Sequence, residues 1–467
     1  MNPYQAVNPG KKIMTVIGVY IAMIAAIMMS SGGSTMLPAA AKEIGGESIF
    51  SLAQTLLGVC SVALMPLYGY LGARFPAEKR TLIWVSYLIT AVIVFSRGLV
   101  NSMWAIVIPS FLIGCYSPAI YVLGFSIIRD MYDMKQAGVY LGAVGTMQAI
   151  GMLIGPTLTG IIIQTASWRV VNFIIGPLFL LGALLVLAGA KITKEEGKSI
   201  ARTGTFDLPG AIATVLFLTG LILALSITNY APFGSPANSL LFAVAAFGLV
   251  WLIVIIRKKG TEAFIPAPVL KDQNTLCLTL NNFFCNLSTM ALYFFLPAYV
   301  INVMKLPPTY AGLVITIYSI PGLFLGPIYG RMIGKAGNAR NVSIFAQVIR
   351  IGVSLAFIFV LTPSTPIFVV LGLMFLAGFY GASGGVIPAA APQIQIRPEI
   401  RQLGNSMVQL GQNLGGSISI AIYTLVITMA GMVSGIKIAC GLAAAFAVIA
   451  LLVSFPLKKL DLAEEGK

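Results

Sequence analysis

Pro66-Leu67-Tyr68-Gly69 returns along this chain as Pro327-Ile328-Tyr329-Gly330, with Arg74 answered by Lys335. The same echo carries Phe111-Leu112-Ile113-Gly114-Cys115-Tyr116 to Phe375-Leu376-Ala377-Gly378-Phe379-Tyr380, and Leu37-Pro38-Ala39 to Leu296-Pro297-Ala298. Gly151 and Gly155 likewise find Gly411 and Gly415. Each match alone is short enough for chance in an apolar chain, but all occur in the same order at an offset of roughly 260 residues. Two related halves are therefore expected, and related halves in a membrane suggest a transporter.

Composition places the chain in a bilayer. Of its 467 residues 58% are hydrophobic and only 9% charged, more apolar surface than a water-soluble core can absorb. Apolar stretches of about 20 residues recur throughout, each long enough to cross about 30 Å of hydrocarbon as a helix. The first, 13–36, follows Lys11 and Lys12, is too long for a signal peptide's apolar core, and is expected to remain as a spanning helix. Cys60, Cys115, Cys277, Cys285 and Cys440 lie in apolar segments without metal-like spacing, and the chain has no histidine. No metal site and no cofactor are expected, and a membrane enzyme is disfavoured.

Reading the apolar runs gives about fourteen spans, the last two at 403–429 and 436–455. Alternate threading collects most of the lysine and arginine on one side, including Lys11, Lys12, Arg74, Lys79, Arg80, Arg129, Arg331, Lys335 and Arg340. The other side receives only Lys42, Arg97, Arg169, Lys305 and Lys437. This asymmetry puts both termini in the cytoplasm, and it explains the net charge of +15 by topology, with no nucleic-acid partner. The repeat offset exceeds one six-helix unit, so the spans at 208–227 and 240–256 are expected to be an insertion. The expected domains are an N-terminal six-helix bundle (1–192), a linker with two inserted transmembrane helices (193–272) and a C-terminal six-helix bundle (273–467).

This all-α polytopic arrangement resembles the major facilitator superfamily, specifically its fourteen-helix drug:proton antiporter branch, the EmrB/QacA-like transporters. The loop Gly69-Tyr70-Leu71-Gly72-Ala73-Arg74-Phe75-Pro76-Ala77-Glu78-Lys79-Arg80 is similar to the superfamily's cytoplasmic motif GxLxDRxGRR. Gly142, Gly151, Gly155, Pro156 and Gly160 fall at the spacing of the antiporter motif, with Thr159 replacing one glycine. Trp168, Arg169 and Phe173, then Asp207, Pro209 and Gly210, also resemble this branch. Physically, glycines four apart let another backbone approach closely, and Pro156 frees a carbonyl and permits a bend. Gly69, Arg74, Arg80, Gly151, Gly155 and Pro156 are accordingly candidate gating residues. Helix packing for the glycines, and topogenic charge for the arginines, are the plainer accounts.

The departures from the family pattern share a consequence. The aspartate usual in the first span is Met29 here, the arginine usual in the fourth is Ser110, and the aspartate of the loop motif is Ala73. All acidic residues lie in loops, tails or at helix ends, so no intramembrane carboxylate presents itself for proton coupling.

The cavity is instead expected to be lined by neutral polar and aromatic groups. In the fold the resemblance implies, the first and fourth helices of each bundle border the pathway. That makes Ser30, Ser31, Ser34, Tyr116, Tyr121, Asn281, Asn282, Asn286, Tyr293 and Tyr380 candidate substrate contacts, with Gln412 and Asn413 from a neighbouring helix. Interhelical hydrogen bonding is the alternative, commoner for serine than for asparagine. Arg350, the one basic residue well inside a span, is a candidate anion contact or a snorkelling side chain.

The expected function is alternating-access transport of a small amphipathic organic molecule across the cell membrane, with efflux implied by the antiporter resemblance and protons as a candidate coupling ion. The partners are that substrate and the lipid bilayer, with the chain acting as a monomer. A facilitator or importer of a neutral or anionic metabolite is the first alternative, and a channel or receptor the second.

Overall fold

The computed structural model describes residues 2–46, 49–201, 206–226 and 234–460, apart from the side chains of Ser34, Ser51, Pro308 and Thr309. Among these residues every regular element is helical: α1 (Pro9–Ile44), α2 (Phe50–Arg74), α3 (Lys79–Arg97), α4 (Trp104–Tyr116), α5 (Gly124–Met131), α6 (Met134–Thr165), α7 (Trp168–Ala188), α8 (Lys194–Ile200), α9 (Leu208–Ser226) and α10 (Pro236–Lys259). There follow α11 (Ala267–Lys271), α12 (Gln273–Asn302), α13 (Pro308–Ala336), α14 (Arg340–Val360), α15 (Ile367–Gln395) and α16 (Arg401–Ser454). Among the described residues thirteen helices are long and apolar enough to cross a bilayer, counting α4 and α5 as one. Phe359 and Phe368 stand 80% and 81% exposed, which suits hydrocarbon surroundings and not water.

Local chemistry sets several boundaries. Asn8 caps α1 by accepting from the Gly10 N–H at 2.9 Å, with Pro9 in the first turn where a missing N–H costs nothing. Asp272 caps α12 through the Thr275 N–H at 2.8 Å. Between α4 and α5 a π-turn at Ala119–Leu123 widens the helix by one residue. The two spans expected at 403–429 and 436–455 are joined in α16, which ends at Ser454 and whose backbone leaves helical geometry at Gly431 (φ 74°, ψ 166°). A side chain there would be strained, so glycine makes the break possible.

The chain divides into two compact units. The first comprises Met1–Asp133, Ile154–Lys271 and Gln402–Ser406. Here α1 packs on α7, where a Cβ at Gly182 would stand 3.0 Å from the Gly18 carbonyl oxygen. Helices α9 and α10 pack on each other, with Asn238 Nδ2 donating to the Ala224 carbonyl at 2.7 Å. Tyr70 of α2 stacks on Phe264 at 5.5 Å, beside the buried Asp207 that precedes α9. Asp207 accepts from Lys259 Nζ and the Phe264 N–H, both at 2.8 Å, and from the Gly210 N–H at 3.2 Å. Burial pushes its carboxyl up, but these hydrogen bonds and the Lys259 charge together hold it below the usual carboxylate range.

At the start of α3, Lys79 Nζ reaches Asp130 Oδ2 at 2.5 Å and Ser126 Oγ at 2.9 Å. The Val122 carbonyl, within the π-turn, accepts from Asn405 Nδ2 at 3.2 Å and Gln402 Nε2 at 3.4 Å.

The second unit comprises Met134–Leu153, Asp272–Arg401 and Met407–Lys467. Its apolar core gathers Leu296 and Tyr299 of α12, Val314 of α13, Phe357 of α14, Met374 of α15 and Tyr423 of α16. The early part of α6 lies against α13 through facing glycines. A Cβ at Gly142 would stand 2.6 Å from both the Gly326 carbonyl oxygen and the Gly330 Cα, well inside the 3.5–4.0 Å that carbon atoms prefer. Backbone contact on this scale leaves no substitute for glycine.

Candidate functional site

The second unit holds a cavity of about 100 Å³. Its walls come from α6 (Gln148, Met152), α12 (Asn286, Thr289, Tyr293), α13 (Tyr318, Ser319), α14 (Arg350), α15 (Tyr380 and the glycines around it) and Gln412 of α16. Room for the Tyr318 ring exists because position 381 is glycine: a Cβ there would stand 2.6 Å from the phenol oxygen.

Arg350 is held in place by a relay of polar side chains. Its Nη1 donates to Gln347 Oε1 at 2.7 Å, one helical turn earlier on α14. Gln347 in turn donates to Cys285 Sγ at 2.9 Å, and the Cys285 thiol faces Asn281 Oδ1 at 3.5 Å. Asn281 Nδ2 anchors the far end on Ser343 Oγ at 3.1 Å, Ser454 Oγ at 2.8 Å and the Ala450 carbonyl at 2.9 Å. The guanidinium carbon sits 4.6 Å from the centre of the Tyr380 ring, so the ring face supplies part of the lost hydration. Tyr380 continues into Tyr318 at 6.1 Å and Tyr318 into Tyr293 at 5.7 Å, an aromatic row leading to the charge.

Arg350 is only 1% exposed, its Nε has no partner, and no described carboxylate lies within ion-pair distance. The cavity lining contains no aspartate or glutamate. Chemically, this is a small aromatic-walled chamber with amide and hydroxyl groups and one positive charge that takes part in none of the described ion pairs.

Of the sequence candidates, this cavity brings together Asn286, Tyr293, Tyr380, Gln412 and Arg350. Asn281 is fully buried behind it in the relay. Asn282 is also buried and donates to the Leu278 carbonyl at 2.8 Å, while Asn413 donates to the Gln409 carbonyl at 2.9 Å; neither lines the cavity. Gln347 is the contributor that sequence reading passed over, and Cys285 was noted only as a cysteine in an apolar segment without metal-like spacing. The three-residue spacing of Gln347 and Arg350, on one helix face, was the available signal.

In the first unit Ser30 lines a smaller cavity of about 30 Å³ together with Met29, Gln54, Arg97 and Ser110. Met29 and Ser110 are two of the positions where this chain departs from the family pattern. Ser31 Oγ donates to the Ile27 carbonyl at 2.7 Å, beside Gly155, and the Ser34 side chain lies outside the described residues. Tyr116 and Tyr121 are half-buried, Tyr121 edge-on to Phe125 at 6.2 Å.

The gating candidates are dispersed. Gly69 faces Ser406, whose Oγ a Cβ would approach to 2.6 Å. Arg80 Nη1 donates to the Leu187 carbonyl at 2.8 Å, and Arg74 is half-buried at the end of α2. Gly155 meets α1 at Met28, Gly151 is buried on α6, and Pro156 sits inside that uninterrupted helix.

Comparison with known proteins agrees with the helical membrane fold. Residues 19–265 and 278–466 match the model of the Major Facilitator Superfamily. The multidrug transporter protein MdtP of Bacillus subtilis (strain 168) is 24% identical over 70% of this chain, which spans 59% of that relative. The riboflavin transporter RibZ of Clostridioides difficile (strain 630) is 22% identical, with 87% of each chain covered. Among solved structures, the human organic anion transporter MFSD10 superposes with a TM-score of 0.64 at 14% identity, over 95% of this chain and 100% of the other. The proton:xylose symporter XylE gives 0.64 at 13% identity, over 95% and 94%.

Proposed function

The chain belongs to the Major Facilitator Superfamily and is a non-enzymatic secondary transporter of small molecules, and we propose that it exports amphipathic organic molecules by alternating access, holding them in the cavity around Arg350 and Tyr380. The observation that carries this reading is the chamber itself: an aromatic row ending in a buried guanidinium, with neutral amides on the remaining walls. An apolar body stacks along Tyr293, Tyr318 and Tyr380 while a polar end reaches Asn286, Gln412 or Arg350. The names of two relatives, a multidrug transporter and a riboflavin transporter, support a substrate of this kind.

In this reading the helix break at Gly431 divides α16 into two spans, giving fourteen. Helices α9 and α10 are the inserted pair, and the division at 1–192, 193–272 and 273–467 stands as the domain plan. The chain works as a monomer in the cell membrane with both termini cytoplasmic, on the distribution of its basic residues.

A second reading is favoured by one observation, the unpaired charge of Arg350: facilitated transport or import of an anionic organic metabolite. One experiment addresses both. Purified protein is screened for thermal stabilisation by organic cations, carboxylates and neutral amphiphiles, and hits are followed by flux in inside-out vesicles. Tyr380→Ala and Asn286→Ala should abolish stabilisation by every hit, whereas Arg350→Gln should remove only the anionic ones. Hits indifferent to all three substitutions would place the substrate elsewhere, and flux only down the substrate's own gradient would select the facilitator.

A further inference from the structure

We propose that the small cavity of the first unit is a binding site for a monovalent inorganic anion of about chloride size, held by Arg97. Arg97 is 3% exposed, its Nε has no hydrogen-bond partner, and it takes part in none of the described ion pairs. A buried cation left in this condition costs several kcal/mol, and the usual escape, neutralisation, is closed because an arginine does not lose its proton in a protein. The C-terminal carbonyls of α3, whose last residue is Arg97, offset part of this charge, and a mobile anion would supply the rest.

The surroundings agree in size and chemistry. The cavity measures about 30 Å³, more than the roughly 10–15 Å³ one water needs and less than an organic substrate needs. Its polar wall is Ser30, Gln54 and Ser110, all neutral, so nothing in it competes with an anion for the guanidinium. Ser110 Oγ already donates to the Ile106 carbonyl at 2.7 Å, and Gln54 Nε2 to the Ser30 carbonyl at 3.2 Å. The guanidinium is the one charged group of the wall, and its buried Nε donor has no partner. Arg350 differs, because Gln347 and the Tyr380 ring answer it in part and its chamber is larger. The site therefore stands independently of the substrate reading.

The test is a halide titration of the full-length protein at constant ionic strength, replacing potassium gluconate by chloride or bromide and following thermal unfolding. The expected result is a saturable rise of ~2 °C or more in the unfolding midpoint. It should be absent in Arg97→Gln and partly restored in Arg97→Lys. If Arg97→Gln does not fold, chloride-35 line broadening on the wild-type protein, relieved by bromide, decides in its place. Midpoints that coincide in gluconate, chloride and bromide, a halide shift that persists in Arg97→Gln, or no relievable broadening would each overturn the proposal and leave water as the occupant. The readout is the halide dependence lost in Arg97→Gln, which involves no residue of the Arg350 cavity, so its failure would leave that cavity untouched.

Discussion

Removing the Asp207 carboxylate should loosen the α9–α10 pair, and the structure sets how much each of its three contacts contributes. The two backbone donors, Phe264 N–H at 2.8 Å and Gly210 N–H at 3.2 Å, are buried with it, whereas Lys259 is 42% exposed. Asp207→Ala strands both amides at about 1–3 kcal/mol each, while the ammonium simply returns to solvent. The total is then roughly 2–5 kcal/mol, less whatever water enters the gap. Lys259→Ala forfeits only a half-exposed ion pair, about 0.5–1 kcal/mol, and Asp207→Asn, which keeps one acceptor, falls between.

These contacts govern local opening of the α9–α10 pair, so the readout is local: amide hydrogen exchange of α9 and α10 peptides in nanodiscs. The alanine variant should exchange ~30-fold to several thousand-fold faster there, the lysine variant only a few-fold faster. The pH dependence follows in sign. Because the carboxyl is held below its ordinary range, its contribution is complete at neutral pH, begins to fall as pH drops through about 4, and is lost below the folded value. Equal acceleration in Asp207→Ala and Lys259→Ala would refute the reasoning, since the ion pair and not the buried amides would then carry the contact.

Four further outcomes are expected. Gly142→Val should destabilise the second unit by about 1–3 kcal/mol through overpacking against Gly326 and Gly330, seen as faster exchange of α13. Gly431→Ala should cost about 1–3 kcal/mol although nothing lies within 4 Å of the added Cβ, because the strain is in the backbone; unchanged stability would contradict the break. Asn281→Ala should lower the thermal unfolding midpoint by removing the buried amide that ties α12 to Ser343 of α14 and to Ser454 and the Ala450 carbonyl of α16. Asn286→Ala should leave that midpoint unchanged and weaken ligand binding instead.

Much of the architecture was legible because the bilayer imposes it: apolar length gives the spans. The rotation of each helix was not. Asn281 and Asn286 both read as cavity candidates, yet five residues turn a helix by roughly 140° beyond a full circle. One meets α14 and α16 and the other meets the chamber. In water an amphipathic stripe would have told them apart, but in lipid the outer and inner faces are both apolar and the stripe vanishes. For the same reason Arg350 stood open between an anion contact and a snorkelling side chain and Arg97 read only as a topogenic charge, while the structure buries both beside cavities. The facing glycines of α6 and α13 were visible in the sequence, but which backbone each one admits depends on tertiary register.

The π-turn at Ala119–Leu123 makes the number of residues in this span matter as much as their identity. A one-residue deletion there would leave a regular α-helix of adequate length and unchanged hydrophobicity. Yet it would rotate everything downstream by about 100°. Ser126 and Asp130 would swing away from Lys79, and the Val122 carbonyl would turn from Gln402 and Asn405. The span thus tolerates exchange of one apolar residue for another far better than it tolerates the loss of one.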